Sequence, residues 1–183
     1  MSARVEVALP KDATGFIRRQ CPGCHRIFKT LPNRFDARVL QRRLVSLFPF
    51  ENADEGYEEV PHWHCLYCGH HAEADEWLAP EHVSYLESLS RAWANHVRYE
   101  QLAYVSRTLS YNPRPTFIAV APEALPEPLP AEPEDLRVIP MVCCGEDVKA
   151  EWDWDGPMYC PRCGAHHGGM SGRQQVHLQF IQE

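Results

Sequence analysis

Eight cysteines carry the clearest chemical signal in this chain of 183 residues. Six of them form three Cys-x2-Cys pairs, and the other two are adjacent. In a reducing compartment such spacing is typical of metal ligands rather than of disulfides, and tetrahedral zinc takes four thiolates from two tight turns. The sequence therefore predicts two structural zinc ions. The cysteines are Cys21/Cys24, Cys65/Cys68, Cys143/Cys144 and Cys160/Cys163.

The first predicted zinc site combines two turns that lie far apart in the chain. Cys21 and Cys24 enclose Pro-Gly, and 40 residues separate them from Cys65 and Cys68. Such an insertion is tolerated because the entropy of loop closure grows only logarithmically with loop length. Four sulfurs leave no coordination position for water, so we expect the metal to be structural rather than catalytic.

The second predicted site is less regular. Cys160-Pro-Arg-Cys163-Gly is an ordinary metal-binding turn, but Cys143 and Cys144 lack the usual two-residue gap. Two ligand sets stay open. Either all four cysteines bind the metal, which we prefer, or a histidine replaces one of them, the candidates being His166 and His167.

Known catalytic motifs fit the chain poorly. His71 begins a His-Ala-Glu match to zinc deaminases, but their Pro-Cys-x2-Cys element is missing because Tyr159 precedes Cys160. A His-Asn-His nuclease needs its metal residues on facing elements, whereas Asn95 and His96 are adjacent within one predicted helix. We therefore expect a protein without enzymatic activity and without a small-molecule substrate.

The elements that must position the cysteines predict an α+β fold. Short β-type segments flank the first cysteine turn, at 16–17 and 27–28, and residues 3–9 alternate as in a strand. Helical spacing of apolar residues predicts a basic amphipathic helix over 36–48, inserted in the first ribbon, and a long helix from Pro80 to about Ser110. Near the C-terminus, 148–154 and 158–159 flank an Asp-Gly-Pro turn and predict a hairpin.

A proline-rich stretch divides the chain. Seven prolines occur in residues 112–135, a density that favours extended chain and opposes helix or central strand. We predict an N-terminal zinc ribbon with helical insertion and long helix at 1–111, a Pro/Glu-rich linker at 112–136 and a C-terminal zinc-ribbon-like hairpin module at 137–183.

Charge is distributed unevenly along the chain, whose net charge is -7. Residues 11–43 carry a net charge of +7, and residues 51–81 carry nine acids without a Lys or Arg. The basic segment could bind nucleic-acid phosphates, with Phe16, Phe28 and Phe35 available for stacking, or it could pair with acids of the same chain. Its candidate residues are Arg18, Arg19, Arg26, Lys29, Arg34, Arg38, Arg42 and Arg43.

Three tryptophans are candidates for a protein interface. Trp93 lies in the predicted long helix, and Trp152 and Trp154 alternate with acids, which would place both on one face of the predicted hairpin. An uncovered aromatic face of that kind is a natural protein contact.

The segments GFIRRQCPGCHRIFK, HCLYCGHHAEADEW and GPMYCPRCG resemble an uncharacterised family of bacterial zinc-ribbon proteins, described as containing a transcription-factor-type zinc ribbon. The resemblance covers residues 3–110 and 137–167. It implies zinc ligation by the eight cysteines but no particular activity, because ribbons serve as nucleic-acid binders, adapters and structural staples alike.

These observations predict a non-enzymatic, two-zinc adapter in a bacterial multiprotein assembly, with another protein subunit as partner. The alternative is a nucleic-acid-binding module, in transcription or phage defence, that uses the basic segment 18–43. The first ten residues lack the apolar core of a secretory signal, and no apolar run is long enough to span a bilayer, so we expect a cytoplasmic protein without membrane contact.

Overall fold

The computed structural model describes residues 7–47, 61–108, 121–122 and 124–168. This part of the chain is mixed α and β, with small antiparallel sheets and two α-helices, as the sequence predicted. The strands are β1 Ile17–Gln20, β2 Ile27–Thr30, β3 His62–His64, β4 His71–Glu73, β5 Arg137–Met141, β6 Glu146–Ala150, β7 Met158–Tyr159 and β8 His166–His167. The helices are α1 Asp36–Leu47 and α2 Pro80–Thr108, with a 3-10 helix at Ala74–Trp77.

The largest sheet contains strands from both ends of the chain. Its order is β1-β2-β6-β5, and all neighbours are antiparallel. β2 meets β6 through the pairs Lys29 with Lys149 and Thr30 with Val148. The predicted boundaries at residues 111 and 136 stay predictions, but residues on both sides of them pair in one sheet.

One face of this sheet forms the main core. Phe28 and Val148 are buried there, and the fully buried Trp77 packs edge-on against Phe28 with ring centroids 5.8 Å apart. The indole N–H of Trp77 donates a hydrogen bond to the Ala72 carbonyl, so its polar atom is satisfied inside the core. Cys21 and Cys65 belong to the same cluster. Two cysteines of the first set are therefore part of the core, Cys24 packs against it, and Cys68 is exposed.

Both predicted helices are confirmed. Before α1, the Asn33 side-chain oxygen accepts the Phe35 N–H, and the Asp36 carboxylate accepts the Asn33 N–H, which caps the first turn. Val39 and Leu40 of this helix are buried. α2 is 29 residues long and starts with Pro80 in its first turn, where a proline needs no hydrogen-bond partner.

Two strand predictions fail in the part of the chain that the structure describes. Residues 7–9 of the alternating N-terminal segment form no strand, although Leu9 is buried; residues 3–6 lie outside the described part. The predicted hairpin of 148–154 with 158–159 does not form, because β5 and β2 occupy both edges of β6. Instead, β7 pairs with β8 across the last cysteine turn.

Among the described residues, neither helix combines the length and the apolar character needed to cross a membrane. The proline-rich stretch, where described, contains no helix or strand before β5, in agreement with its composition.

Candidate metal centres

The first candidate centre brings together Cys21, Cys24, Cys65 and Cys68, as predicted. Their sulfurs all lie within 4.8 Å of one another, with Cys21 to Cys68 at 3.8 Å and Cys24 to Cys65 at 3.6 Å. Four thiolates about 2.3 Å from a tetrahedral metal have edges of about 3.8 Å. The sulfur spacing therefore fits a single four-coordinate ion.

Backbone amides support the sulfurs of this centre. The N–H groups of Gly23 and Cys24 both donate to Cys21 Sγ at 3.3 Å, and the Tyr67 N–H donates to Cys65 Sγ at the same distance. Burial raises the pKa of the Cys65 thiol, and the neighbouring Cys21 sulfur raises it further. Four thiolates in one place carry a negative charge that this environment disfavours. A divalent cation bound among them would balance that charge and let the four sulfurs ionise together.

The second candidate centre contains Cys143, Cys144, Cys160 and Cys163, the ligand set that we preferred. These sulfurs also lie within 4.8 Å of one another, and Cys143 to Cys163 is 3.6 Å. Of the two candidate histidines, His167 places Nε2 at 3.3 Å from Cys143 Sγ. The chain therefore has two groups of four cysteines that fit two structural metal ions.

All four cysteine turns share one backbone design. In each turn, the N–H of the fifth residue donates to the carbonyl of the first, at 2.8 to 3.1 Å. The fifth residue adopts a left-handed conformation with φ between 60° and 70°, which favours glycine. These fifth residues are His25, Gly69, Gly145 and Gly164, and the first residues are Cys21, Cys65, Met141 and Cys160.

This shared design explains the missing gap between Cys143 and Cys144. In the turn that ends at Gly145, a buried methionine, Met141, occupies the place of the first cysteine. Cys144 sits at the usual fourth position, and Cys143 supplies its sulfur from the third position, which is exposed. The second centre thus replaces a buried ligand position by an exposed one.

The basic side chains of residues 18–43 mostly pair with acids of the same chain. Register places Arg18, Lys29 and Lys149 side by side on neighbouring strands, opposite the core face. We call these three residues the cationic row. Like charges on adjacent strands repel, so the row requires acids nearby.

Residues 132–135 of the proline-rich stretch supply most of those acids; we call them the acidic strap. Glu132 and Asp135 accept hydrogen bonds from Arg18 at 2.5 and 2.9 Å. Asp135 also pairs with Lys29 at 2.8 Å, Glu134 pairs with Lys149 at 2.6 Å, and the Pro133 carbonyl accepts from Lys29. The strap therefore covers the row and neutralises it.

Asp12 completes the neutralisation from the N-terminal side. Its carboxylate lies 2.7 Å from the Lys149 ammonium and 3.6 Å from that of Lys29. Burial raises the pKa of Asp12, but hydrogen bonds from Lys149, the Phe16 N–H and Thr14 outweigh this effect and lower the pKa to about 2. Asp12 is thus ionised at neutral pH.

The other basic candidates are also engaged. Arg19 is fully buried, pairs with Asp36 and lies over the Trp63 ring at 4.6 Å. The remaining ion pairs join Arg26 to Glu151, Arg42 to Glu73 and Arg43 to Glu87. Arg34 and Arg38 are exposed, with Arg34 over the Phe35 ring, and Arg38 has an interaction of its own.

Most of the aromatic rings predicted to stack on nucleic-acid bases are not accessible. Phe16 and Phe28 are buried, and only Phe35 is partly accessible. The basic segment does pair within the chain, but mainly with the acidic strap, Asp36, Glu87 and Glu151. Among the described residues of the predicted acidic segment 51–81, Glu73 and Glu81 take part.

The three tryptophans differ in exposure. Trp152 is 66% exposed, whereas Trp154 packs edge-on against Tyr67 with ring centroids 5.0 Å apart. Trp93 is partly buried and stacks on His96. Residues 152 and 154 lie outside any strand, so the predicted common hairpin face does not form.

Sequence reasoning missed Asp12, Lys149, Glu132 and His82. His82 is fully buried and its Nε2 lies 3.0 Å from Glu132, which Arg18 also contacts. In the sequence, each of these residues is a charged or polar residue within or beside an apolar pattern. The residue that it pairs with lies too far along the chain to be identified from the sequence.

The chain matches no known family model, no curated protein and no solved structure. The resemblance to bacterial zinc-ribbon proteins therefore stays a prediction.

Proposed function

We propose that the protein is a non-enzymatic adapter, built around two zinc ions, that binds another protein in a reducing compartment such as the cytoplasm. The donor sets support zinc: each has four sulfurs at tetrahedral spacing, the arrangement typical of structural zinc. Four sulfurs complete the coordination shell, which leaves no position for a substrate or for an activated water.

The observation that carries the adapter proposal is the outer half of α2. Leu86, Leu89 and Ala94 are buried, but no residue from 95 to 105 is buried. Leu102 and Val105, one turn apart, are 46% and 40% exposed. Most of the stability of a helix in a protein comes from the packing of an apolar face, so a partner that covers this end would stabilise it.

The nucleic-acid alternative has weaker support. A phosphate-binding surface needs accessible cations, yet the cationic row is occupied by the acidic strap and Arg19 is buried. The observation that still favours it is that Arg34, just before α1, and Arg38, in its first turn, are both exposed, and that Arg34 lies over the Phe35 ring. We retain it as the second candidate.

Native mass spectrometry of the full chain, purified gently from its host, tests both candidates. We expect two zinc ions and a stoichiometric protein partner. The double variant L102E/V105E should lose the partner, while Q101E, a neighbouring exposed position, should retain it.

The opposite result has a clear form. Co-purifying nucleic acid that survives L102E/V105E, and disappears in R34E/R38E and at high salt, would replace the adapter proposal by the nucleic-acid one. Fewer than two zinc ions would contradict the proposal for the corresponding centre.

A further inference from the structure

The two metal centres differ in the accessibility of their sulfurs. In the first centre, Cys21 and Cys65 are fully buried within the core. In the second, the buried first position of one turn holds Met141, and the exposed Cys143 supplies the sulfur instead. The second centre therefore presents a thiolate to solvent from a position that is not a ligand in the other three turns.

A second exposed sulfur lies next to Cys143. Cys163 is exposed as well, and the two Sγ atoms are 3.6 Å apart. The two sulfurs of a disulfide are about 2.05 Å apart, so a small movement of these two exposed side chains toward each other would bring the sulfurs to bonding distance. In the first centre, each short sulfur contact includes a fully buried residue, Cys21 with Cys68 and Cys65 with Cys24.

We propose, building on the metal-binding function above, that the second centre is a peroxide-reactive site at which Cys143 and Cys163 form a disulfide and the metal is released. The first centre keeps its metal under the same conditions. The site is thus a thiol modification site whose substrate class is hydroperoxide.

The chemistry balances with hydrogen peroxide as the only oxidant. The Cys143 thiolate attacks one peroxide oxygen, the O–O bond breaks, and Cys143 sulfenic acid and hydroxide form. The Cys163 thiolate then attacks the Cys143 sulfur, the S–O bond breaks, and a second hydroxide leaves. Two electrons pass from the two sulfurs to the peroxide, and Cys144 and Cys160 remain as only two ligands for the metal.

Release of this metal has a defined structural consequence. The centre ties the 141–145 turn between β5 and β6 to the turn between β7 and β8. The second of these turns packs on the first centre's hairpin, where the His64 N–H donates to the Pro161 carbonyl and the Tyr159 N–H donates to the Leu66 carbonyl. Oxidation should replace the metal-mediated connection between the first two turns by the covalent Cys143–Cys163 bond, and it should leave these contacts with the hairpin in place.

The experiment counts metal before and during oxidation of the full chain. Native mass spectrometry first establishes the two zinc ions; fewer than two contradicts the proposed function itself. Hydrogen peroxide is then added with a chromogenic zinc chelator, and peptide mapping identifies the disulfide. We expect one zinc equivalent to leave about tenfold faster than the other, together with a Cys143–Cys163 disulfide.

The matched variant M141C/C143A moves the fourth sulfur to the buried first position of the turn. We expect it to bind two zinc ions and to lose the fast phase. If it does not fold, isotope-coded alkylation of the wild type gives the same information, because Cys143 should be labelled first. Equal release rates for both zinc ions, or a first disulfide among Cys21, Cys24, Cys65 and Cys68, would overturn the proposal.

Discussion

The ammonium group of Lys149 lies 2.7 Å from the carboxylate of Asp12, although 137 residues separate them in the chain. The same carboxylate lies 3.6 Å from the Lys29 ammonium, and both lysine side chains are almost fully buried. Asp12 therefore stands between two cations that face each other across β2 and β6. Without it, the carboxylates left to these lysines are Glu134 beside Lys149 and Asp135 beside Lys29, and both are more than 40% exposed. Loss of the buried carboxylate is therefore more costly than loss of a surface ion pair.

Asp12→Asn is expected to lower the free energy of unfolding by about 3 kcal/mol, because Lys29 and Lys149 then face each other without the carboxylate between them. D12N/K149M should cost less than the sum of the two single changes, since it removes one of the repelling charges. Urea unfolding in a zinc-buffered solution measures all three values.

Asp147→Asn is the control for this cycle. Asp147 lies on β6, as Lys149 does, but it is exposed and pairs with Pro140. Its substitution should therefore change the free energy of unfolding by no more than about 0.5 kcal/mol. Additive effects of D12N and K149M would contradict the coupling between the row and Asp12.

His25→Gly is expected to stabilise the protein by about 0.5–1 kcal/mol, because a left-handed conformation is strained for a residue with a Cβ atom and glycine removes that strain. His25 is exposed and has φ 60°, whereas the equivalent residue of the other three cysteine turns is glycine. Thermal unfolding of the two proteins measures the gain.

His25→Ala separates backbone strain from side-chain effects, because alanine keeps the Cβ atom. It should give no stabilisation in the same thermal unfolding measurement. Equal gains from H25A and H25G would show that the histidine side chain, rather than the backbone conformation, is unfavourable.

The sequence was sufficient to predict the two helices and the cysteine turns. Helical periodicity predicted α1 and α2 with their starts at Asp36 and Pro80. Cysteine spacing predicted the first ligand set, and for the second it left a histidine as an alternative to the preferred four cysteines. These features depend on residues within one element or one turn, which is why a pattern can identify them.

The pairing of strands that lie far apart in the chain could not be predicted from local sequence patterns. The contact of Lys29 with Lys149 joins strands more than a hundred residues apart, and nothing in the Val148–Trp154 pattern indicates that β6 has a neighbour on each side. The proline-rich stretch was predicted as extended chain, but its docking on the cationic row depends on that pairing. Composition alone does not reveal which surface an extended segment covers.

Removal of the metal ions is expected to unfold the four-stranded sheet. Cys21 and Cys65 lie within the main core beside Phe28 and Trp77, so four deprotonated or solvated sulfurs without a cation would disrupt that packing. An excess of a strong zinc chelator should remove most of the β-type circular dichroism and shift the tryptophan fluorescence of the chain to longer wavelength. The same chelator saturated with zinc is the control, and a spectrum unchanged after complete metal loss would contradict the expectation.

Stability should also fall as the pH drops below about 6.5, the ordinary pKa of histidine, because of His82. Burial lowers the pKa of His82 in the folded protein, and this effect exceeds the opposing effect of Glu132 at 3.0 Å. The unfolded chain then binds a proton at a pH where the folded chain does not, so unfolding is favoured as the pH falls. Thermal unfolding between pH 7.5 and pH 5.5 measures the slope.

His82→Gln removes the titration while keeping a hydrogen-bond donor toward Glu132, so its melting temperature should depend less steeply on pH than that of the wild type. Comparison of the two slopes isolates His82 from the rest of the 10 histidines in the chain. If the wild type instead gains stability relative to H82Q below pH 6.5, the imidazole must be protonated in the folded state. The buried His82–Glu132 contact would then be an ion pair that balances Glu132 together with Arg18.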